Sequence, residues 1–279
     1  MQISAKVIQH SLSKAGVELV TFELEYPRFI HSELMTHRVF SRNAASSRAI
    51  PISKMIAQVS TNPASPVHWG TNMPGMQARK EVLDIVEAKW AWREAAKSAV
   101  KSAELLEDIG LHKQIVNRVL EPFQMMKTIV TATEWENFFE LRTHKDAQPE
   151  FQELACMMQV AIAQSVPFHT EVGEWHVPYV SRYRCPEYKN IFYYIDNEDQ
   201  EDITAQQAVM VSASCAAQVS YRLLDGSMDK AEKIYSKLIN SKPIHASPFE
   251  HQAVDVNDSV NFYRNFKGWK QNRQYIEGN

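Results

Sequence analysis

The stretch from residue 81 to residue 108 contains neither glycine nor proline, and its apolar side chains recur at helical spacing. It predicts one long helix, which Gly110 ends because glycine readily adopts the left-handed conformation that closes helices. The chain has 279 residues, of which 44% are hydrophobic, and this is enough to fill a core. We therefore expect a folded globular protein, neither disordered nor fibrous.

Other segments follow helical or strand periodicity. Strands are expected at residues 17–24 and 127–133, and further helices at residues 29–40, 111–120, 135–142, 148–166, 203–224 and 228–240. The segments expected to be irregular are a polar loop at 41–47, a long excursion or lid at 52–77, an aromatic, charged insertion at 177–199, and 252–279, which mixes a short strand with loop. We predict an α/β (α+β) fold with helices in excess, organised as a single domain over residues 1–279 with insertions near 52–78 and 177–199.

Charge and cysteine usage limit the functions to consider. A net charge of -3 and a pI near 6.4 give no global basic field, so we expect no direct nucleic-acid binding. Any bound phosphate must be met by a local arginine cluster. The three cysteines, Cys156, Cys185 and Cys215, form no C-x-x-C pair, which favours a reducing cytoplasm over a disulfide framework or a zinc ribbon. No apolar run predicts a membrane span or an export signal.

The segment from Thr36 to Arg48 is the first candidate site. His37 and Arg38 lie near the end of a predicted helix, and a Ser- and Asn-rich loop leads to Arg48. Hydroxyls, guanidinium groups and free backbone N–H groups together suit a phosphate. From the residues alone, an ordinary solvated helix end with surface arginines is the favoured explanation of the segment.

The same segment resembles the signature of flavin-dependent thymidylate synthases, R-H-R, seven residues, then S-x-R. His37-Arg38, seven residues, Ser46 and Arg48 match it, and only Thr36 replaces the first arginine. Residues 137–142, N-F-F-E-L-R, and residues 147–150, A-Q-P-E, resemble two further segments of the family. The segment R-V-L-E-P, which begins at Arg118, resembles the helix whose arginine reaches the nucleotide phosphate.

Two other matches occur in an unusual order. Residues 245–251, H-A-S-P-F-E-H, resemble the family's H-x-T-P-F-E-H, and residues 216–221, A-A-Q-V-S-Y, resemble A-A-R-V-S-F. Both normally precede R-H-R, whereas here they follow it. A circular permutation explains this order, since domain termini often lie close together at the surface. The fold that the resemblance implies is a permuted flavin-dependent thymidylate synthase fold, with helices packed on a small, mostly antiparallel sheet.

The resemblance implies roles for individual residues. Arg142 and Arg38 would be catalytic. Substrate-binding residues would be Ser46, Ser47, Arg48, Arg118, Arg142, Glu33 and Asp146. The FAD-binding residues would be His37, Arg38, Asn43, Asn137, Ser220, His245 and Ser247.

The activity that the resemblance implies is conversion of dUMP to dTMP, with 5,10-methylenetetrahydrofolate and NADPH as cosubstrates and FAD as cofactor. It also implies a homotetramer. We expect the protein in the cytoplasm, or in the host cytoplasm if the chain is from a phage or another virus. None of the cysteines lies in a matched motif, so the flavin rather than a thiolate would support the chemistry. Histidines six residues apart, such as His245 and His251, match no metal-site spacing, so we expect no metal.

Departures from the family pattern keep two alternatives open. Thr36, Glu33, Ala44 and Asp146 stand where the family usually has Arg, Gln, Glu and His. A carboxylate accepts a hydrogen bond from a cytosine amino group, so one alternative is a dCMP (or dUMP) hydroxymethylase, in which water ends the reaction. The second alternative is an inactive nucleotide-binding homologue.

Overall fold

The computed structural model describes residues 3–196, 202–220 and 224–278. Its helices are α1 (His31–Leu34), α2 (Ile52–Thr61), α3 (Ile85–Asp108), α4 (Lys113–Val119), α5 (Glu136–Arg142), α6 (Pro149–Gln164), α7 (Ala205–Ala217), α8 (Met228–Asn240) and α9 (Asn272–Glu277). Short 3-10 turns occur at Arg28–Ile30, Glu121–Phe123 and Ser247–Glu250.

The longer strands are β1 (Ser4–Leu12), β2 (Glu18–Pro27), β3 (Ser41–Ala44), β4 (Met125–Ala132), β7 (Ser181–Arg184) and β8 (Ile191–Tyr194). The shorter strands are β5 (Phe168–His169), β6 (Trp175–His176), β9 (Asp202–Ile203), β10 (Ala253–Asp255), β11 (Phe262–Tyr263), β12 (Phe266–Lys267) and β13 (Trp269–Gln271).

A five-stranded sheet in the order β3-β4-β2-β1-β5 organises the first half of the described chain. Its pairings are antiparallel, except that β5 runs parallel to β1. Alternate residues of β2, from Val20 through Phe22 to Tyr26, are fully buried on one face and meet Phe151 and Leu154 of α6. Burial of each such side chain stabilises the fold by about 1.5–3 kcal/mol, so this interface forms the main core.

Helices α2, α3 and α4 build a second core beside the sheet. Ala96, Ala99 and Ala103 lie on one face of α3 and are buried against residues of α2 and α4, such as Val59 and Val116. The predicted long helix is confirmed; it begins after Asp84, whose side chain accepts a hydrogen bond from the Glu87 N–H at 2.8 Å. Gly110, with φ of 81°, follows its end as expected.

The second half of the described chain packs α7 between α8 and the antiparallel β7–β8 pair. Three residues of the apolar face of α7, Ala208, Val211 and Cys215, are buried there. The predicted helix at 228–240 is confirmed as α8. The 203–224 helix is shorter than expected and ends at Ala217, while residues 221–223 lie outside the described residues.

Two expectations for residues 29–47 are wrong. The predicted 29–40 helix is only a 3-10 turn followed by the four residues of α1, because the Arg42 guanidinium binds the carbonyl oxygens of Leu34, Met35 and His37 at 3.0–3.3 Å. The expected loop at 41–47 instead begins with strand β3, which pairs with β4 from Ser41 to Ala44. A short polar edge strand gives no sequence signal, since its order comes from the partner strand.

Two further expectations, for residues 52–77 and 177–199, are corrected. The excursion at 52–77 begins with a regular helix, α2, because the prolines that break structure start only at Pro63. The 177–199 insertion contains the β7–β8 hairpin, whose Tyr183 and Phe192 rings stack at 5.1 Å, while residues 197–199 lie outside the described residues. Within the described residues, no helix is long and apolar enough to cross a membrane.

Candidate functional site

A cleft of about 950 Å³ opens at the C-terminal end of α5, between the segments 145–152 and 66–79. Among the residues predicted to bind substrate, Glu33, Arg142 and Asp146 line it. Ser46, Ser47, Arg48 and Arg118 do not. One chain therefore brings together the residues expected to contact the base but separates them from those expected to hold the phosphate.

Arg142 is fixed in this cleft by contacts on every side. Its Nη1–H group donates to Glu33 Oε2 at 2.7 Å, its Nε–H group donates to His37 Nε2 at 3.0 Å, and an Nη2–H group donates to Thr36 Oγ1 at 3.4 Å. The guanidinium also lies over the Phe151 ring, 4.6 Å from its centroid. Of its five N–H donors, two remain for a ligand.

His37 is the neutral partner of this arginine. Because Arg142 donates to its Nε2 atom, the proton of the imidazole belongs on Nδ1. Burial, together with the positive charges of Arg142 and Arg42, lowers the pKa of His37 to about 4. The ring packs edge-on against Phe138 at 4.9 Å and stacks on Phe40 at 5.6 Å, which holds its orientation. It therefore positions Arg142 and stays uncharged near neutral pH.

Asp146 also lines the cleft. Its Oδ1 atom accepts a hydrogen bond from Arg79 Nη2 at 3.0 Å, and its Oδ2 atom is 3.7 Å from His144 Nδ1. The Arg79 side chain is 69% exposed, so this ion pair is at the rim and is weak. The carboxylate can therefore exchange Arg79 for a donor group of a ligand.

A separate basic cluster surrounds the Glu121 carboxylate. Its Oε1 atom accepts hydrogen bonds from Arg28 and Arg118, each at 2.9 Å, and from the Ser47 hydroxyl at 3.4 Å. Arg48 follows Ser47 directly; it is exposed and forms no ion pair within the described residues. The predicted substrate-binding residues Ser47 and Arg118 are therefore brought together at Glu121, which neutralises part of the positive charge, and Arg48 is the next residue along the chain.

Asn117 supports this cluster from within. Its buried carboxamide donates to the carbonyl oxygens of Ser47 at 2.7 Å and Ile50 at 3.0 Å, which fixes the turn that carries Arg48. Ser46, in the same turn, donates its backbone N–H to the Ser220 hydroxyl at 2.8 Å. The turn is thereby joined to the end of α7.

Apart from His37, the residues predicted to bind flavin fall into two sets. Asn43 and Ser220 join β3 to α7, since the Asn43 carboxamide donates to the Ala216 carbonyl at 3.2 Å. The 3-10 turn that begins at Ser247 also packs against β3 and α7. Tyr221, the last residue of the A-A-Q-V-S-Y segment at 216–221, lies outside the described residues.

The other set is exposed: Arg38, Asn137, His245 and Ser247. Their side chains form no hydrogen bond or ion pair to a residue that the structure describes. A guanidinium, a carboxamide, an imidazole and a hydroxyl are a donor set suited to the pyrophosphate and the polar ring edge of a flavin dinucleotide. These side chains therefore fit such a cofactor in chemistry. Within the described ranges, no group of three His, Cys, Asp or Glu side chains suits a metal ion.

Sequence reasoning missed several residues that build the site. Arg42, inside the matched motif, ties α1 to β3, and Arg79, which lies just after the segment expected to be a lid, donates a hydrogen bond to Asp146. Asn117 and Glu121 lie close to Arg118 in the chain, but the matched motif assigns a function only to Arg118. Arg42 is signalled only by its place within the motif, whereas the positions of Arg79, Asn117 and Glu121 depend on long-range packing that no local pattern reports.

Comparisons with known proteins match a little more than half of the chain. Residues 10–168 match the family described as thymidylate synthase complementing protein. A similar solved structure is that of the UMP/dUMP methylase PolB from Streptomyces cacaoi bound with 5-Br dUMP, with a TM-score of 0.50 and 18% identity over 58% of this chain and 90% of that chain. A second PolB structure, bound with 5-Br UMP, gives a TM-score of 0.49 and 18% identity over 58% and 89%. No curated protein sequence matches the chain.

Proposed function

Because the chain belongs to the thymidylate synthase complementing protein family and is a thymidylate synthase-like pyrimidine C5 methyltransferase, we propose that it converts dUMP to dTMP. The carbon donor is 5,10-methylenetetrahydrofolate, FAD is the cofactor and NADPH is the reductant. PolB, whose fold is similar, is described as a UMP/dUMP methylase, which supports a uracil nucleotide as substrate. C5 of the base receives the one-carbon unit.

The fixed guanidinium of Arg142 in the 950 Å³ cleft is the observation that carries this proposal. Its two uncommitted N–H donors suit a carbonyl oxygen of the pyrimidine ring, while Glu33 and His37 hold the guanidinium still. A base bound in this way has its C5 in a fixed position. The contribution of the protein is thus orientation and electrostatic stabilisation.

Arg48, Arg118 and the hydroxyls of Ser46 and Ser47 hold the nucleotide phosphate in this proposal. The three acceptor oxygens of a phosphate compete with the Glu121 carboxylate for Arg118, an exchange made easier because the Arg118 side chain is 55% exposed. Since these residues do not line the cleft of Arg142, we propose that each complete site combines two subunits of a homotetramer.

In this proposal FAD is held by the exposed side chains of Arg38, Asn137, His245 and Ser247, together with those of Asn43, Ser220 and His37. When bound, reduced FAD supplies the hydride that converts the transferred methylene into a methyl group. No cysteine lines the 950 Å³ cleft. Burial raises the pKa of the Cys215 thiol to about 12, so that thiol cannot serve as a thiolate nucleophile near neutral pH.

A circular permutation accounts for the order of the motifs. The family match spans residues 10–168, whereas the resembling segments at 216–221 and 245–251 come later in the chain. The turn Ser247–Glu250 nevertheless packs on β3, the strand of the first motif. We infer that the C-terminal segment occupies the place that the N-terminal segment has in other members.

Asp146 favours a second candidate function. Its carboxylate lines the same cleft, and within the described residues its hydrogen bond comes from the exposed Arg79 side chain. A cytosine amino group can donate to it, whereas a uracil carbonyl oxygen would be repelled. The alternative is therefore one-carbon transfer to dCMP, ending with a methyl or a hydroxymethyl group. An inactive nucleotide-binding homologue is the third possibility, and it would form neither product.

The test is product analysis with each nucleotide. The protein with FAD, NADPH and 5,10-methylenetetrahydrofolate is incubated with dUMP or dCMP, and products are identified by mass spectrometry. We expect dTMP from dUMP, and loss of product in an Arg142→Ala variant. A methyl or hydroxymethyl product from dCMP alone supports the second candidate, and no product with bound nucleotide supports the third.

A further inference from the structure

Four basic side chains recur once per helical turn along α3: Lys89, Arg93, Lys97 and Lys101, here called the basic track. All four are exposed and line a second cleft, of about 830 Å³, between α3 and residues 59–69. Four helical residues advance about 6 Å, so the track offers one positive charge about every 6 Å along the cleft.

The charges of the basic track are largely uncommitted. Lys97 pairs with Glu94 at 2.7 Å, and both side chains are well exposed, which makes the pair weak and exchangeable. The other three cations form no ion pair to any described residue. Glu104 lines the end of the cleft beyond Lys101. The track therefore has three or four cations available for an elongated anion.

The cleft of the basic track adjoins the candidate active site. Pro66 and Trp92 line both clefts. The Trp92 indole donates to the Ala64 carbonyl at 2.9 Å, so this shared wall is held in place. A ligand with one end beside Arg142 can thus extend past Trp92 onto α3.

We propose that the basic track binds the poly-γ-glutamate tail of the folate carbon donor, an inference that rests on the proposed function. Each γ-linked glutamate adds five backbone bonds, about 6 Å when extended, and one free carboxylate. The spacing of the carboxylates therefore matches the spacing of cations along α3. The pteridine end lies toward Arg142, and successive carboxylates meet successive cations.

The observations favour this tail over a single-stranded nucleic acid. Binding of single strands relies on aromatic faces on which bases stack. The Trp92 ring is instead packed edge-on between Trp69, at 6.2 Å and 86°, and Phe123, at 5.3 Å and 71°. Glu94 and Glu104 also interrupt the positive surface that a phosphate backbone would follow.

Calorimetric titration without turnover tests the proposal. The probes are pteroyl-monoglutamate and pteroyl-tetra-γ-glutamate, added to the wild-type protein and to a K89A/R93A/K97A/K101A variant. Alanine is the best helix former, so the variant keeps α3. Three additional exposed ion pairs predict about tenfold tighter binding of the tetraglutamate. Salt at about 0.5 M reduces this preference, because it screens exposed charges. The fourfold variant binds both probes equally.

A K233A/K237A variant of α8 is the matched control, since it removes two exposed lysines that line neither cleft. It keeps the tetraglutamate preference. Equal affinity of the wild-type protein for both probes overturns the proposal, as does a preference that survives in the fourfold variant. Binding of oligo(dT) that is lost in the fourfold variant, without a tetraglutamate preference, also overturns it. A tetraglutamate preference without dTMP formation supports the tail site and contradicts only the proposed function.

Discussion

The Nε–H group of Arg142 donates a hydrogen bond to the Nε2 atom of His37 across 3.0 Å. This pair joins the matched segment at residues 36–48 to the end of α5, two regions more than a hundred residues apart in the chain. With Glu33 on Nη1 and Thr36 on Nη2, two N–H groups of the guanidinium have no partner within the described residues. The first prediction follows from this arrangement.

Replacement of Arg142 by lysine should lower kcat/KM for dUMP by about 10²-fold, because one ammonium group cannot bind Glu33, His37 and a ring oxygen together. Steady-state kinetics with the FAD-loaded protein measure the loss. Arg79→Lys is the control, since Arg79 lines the same cleft with a side chain that is 69% exposed. It should change kcat/KM less than about fivefold. Equal losses of kcat/KM in the two variants would show that Arg142 does not orient the base.

The second prediction concerns pH. Burial and the charges of Arg142 and Arg42 lower the pKa of His37 to about 4, so the imidazole is neutral through the assay range. His37→Gln keeps an acceptor near the position of Nε2 but cannot titrate. The ratio of wild-type to variant kcat/KM should therefore stay constant between about pH 5.5 and about pH 8. A fall of this ratio centred near the ordinary histidine pKa would contradict the assignment.

His251 supports a third prediction, on stability. It is fully buried, its Nδ1 atom lies 2.8 Å from the Thr131 hydroxyl, and its Nε2 atom has no hydrogen-bond partner within the described residues. Burial lowers its pKa to about 3, so the unfolded chain takes up a proton from about pH 6.5 downward that the folded protein does not. The contribution of the neutral His251 imidazole to the free energy of unfolding is therefore complete above about pH 6.5 and is lost as the pH falls below it.

This single group should reduce the free energy of unfolding by about 2 kcal/mol between pH 7 and pH 5. His251→Asn retains a polar atom near the position of Nδ1 and removes the titration. Urea unfolding at both pH values compares the two proteins, and the variant should lose about 2 kcal/mol less. Identical losses in both proteins would mean that His251 accepts the proton in the folded state too.

Sequence patterns predicted those parts of the molecule whose order is local. The long glycine- and proline-free run became α3, and residues 228–240 became α8. They missed β3, whose polar residues are ordered by pairing with β4, and they overextended α1, which Arg42 ends by binding its carbonyl groups. Order that depends on a distant partner leaves no period in the sequence.

The site was predictable in its residue types more than in its geometry. The matched motifs identified Arg142 and Arg118, but the pairing of Glu121 with Arg28 and of Arg142 with Glu33 depends on how distant segments fold together. The separation of Arg48 from the cleft of Arg142 was not foreseen either. It is this separation that motivates the fourth prediction.

Complementation between subunits tests whether one site combines two chains. Arg48→Ala and Arg142→Ala homo-oligomers should each be nearly inactive. After unfolding and joint refolding in equal amounts, about a quarter of the sites should contain both arginines, and dTMP formation should return to about that fraction of the wild-type rate. No recovery in mixed oligomers, confirmed as mixed by mass spectrometry, would assign both arginines to the same chain.

Asp146 gives the fifth prediction, on base selection. If dUMP is the substrate, Asp146→Asn should leave the Kd of dUMP within about threefold or tighten it, because a carboxylate facing a carbonyl oxygen is removed. If dCMP is the substrate, the same change should raise the Kd of dCMP by about tenfold, since the amino group of the base loses a charged acceptor. Calorimetric titrations of both nucleotides separate the two outcomes. Unchanged Kd values for both nucleotides would show that Asp146 does not contact the base.

The central claim is that this chain passes a hydride from reduced FAD to a carbon attached at C5 of dUMP. Its most direct measurement is a single turnover without oxygen: the FAD-loaded protein is reduced, dUMP and 5,10-methylenetetrahydrofolate are added, and flavin absorbance and dTMP are followed together. We expect the absorbance band of oxidised flavin to return in a one-to-one ratio with dTMP, and only when both substrates are present. Formation of dTMP while the flavin stays reduced would contradict it.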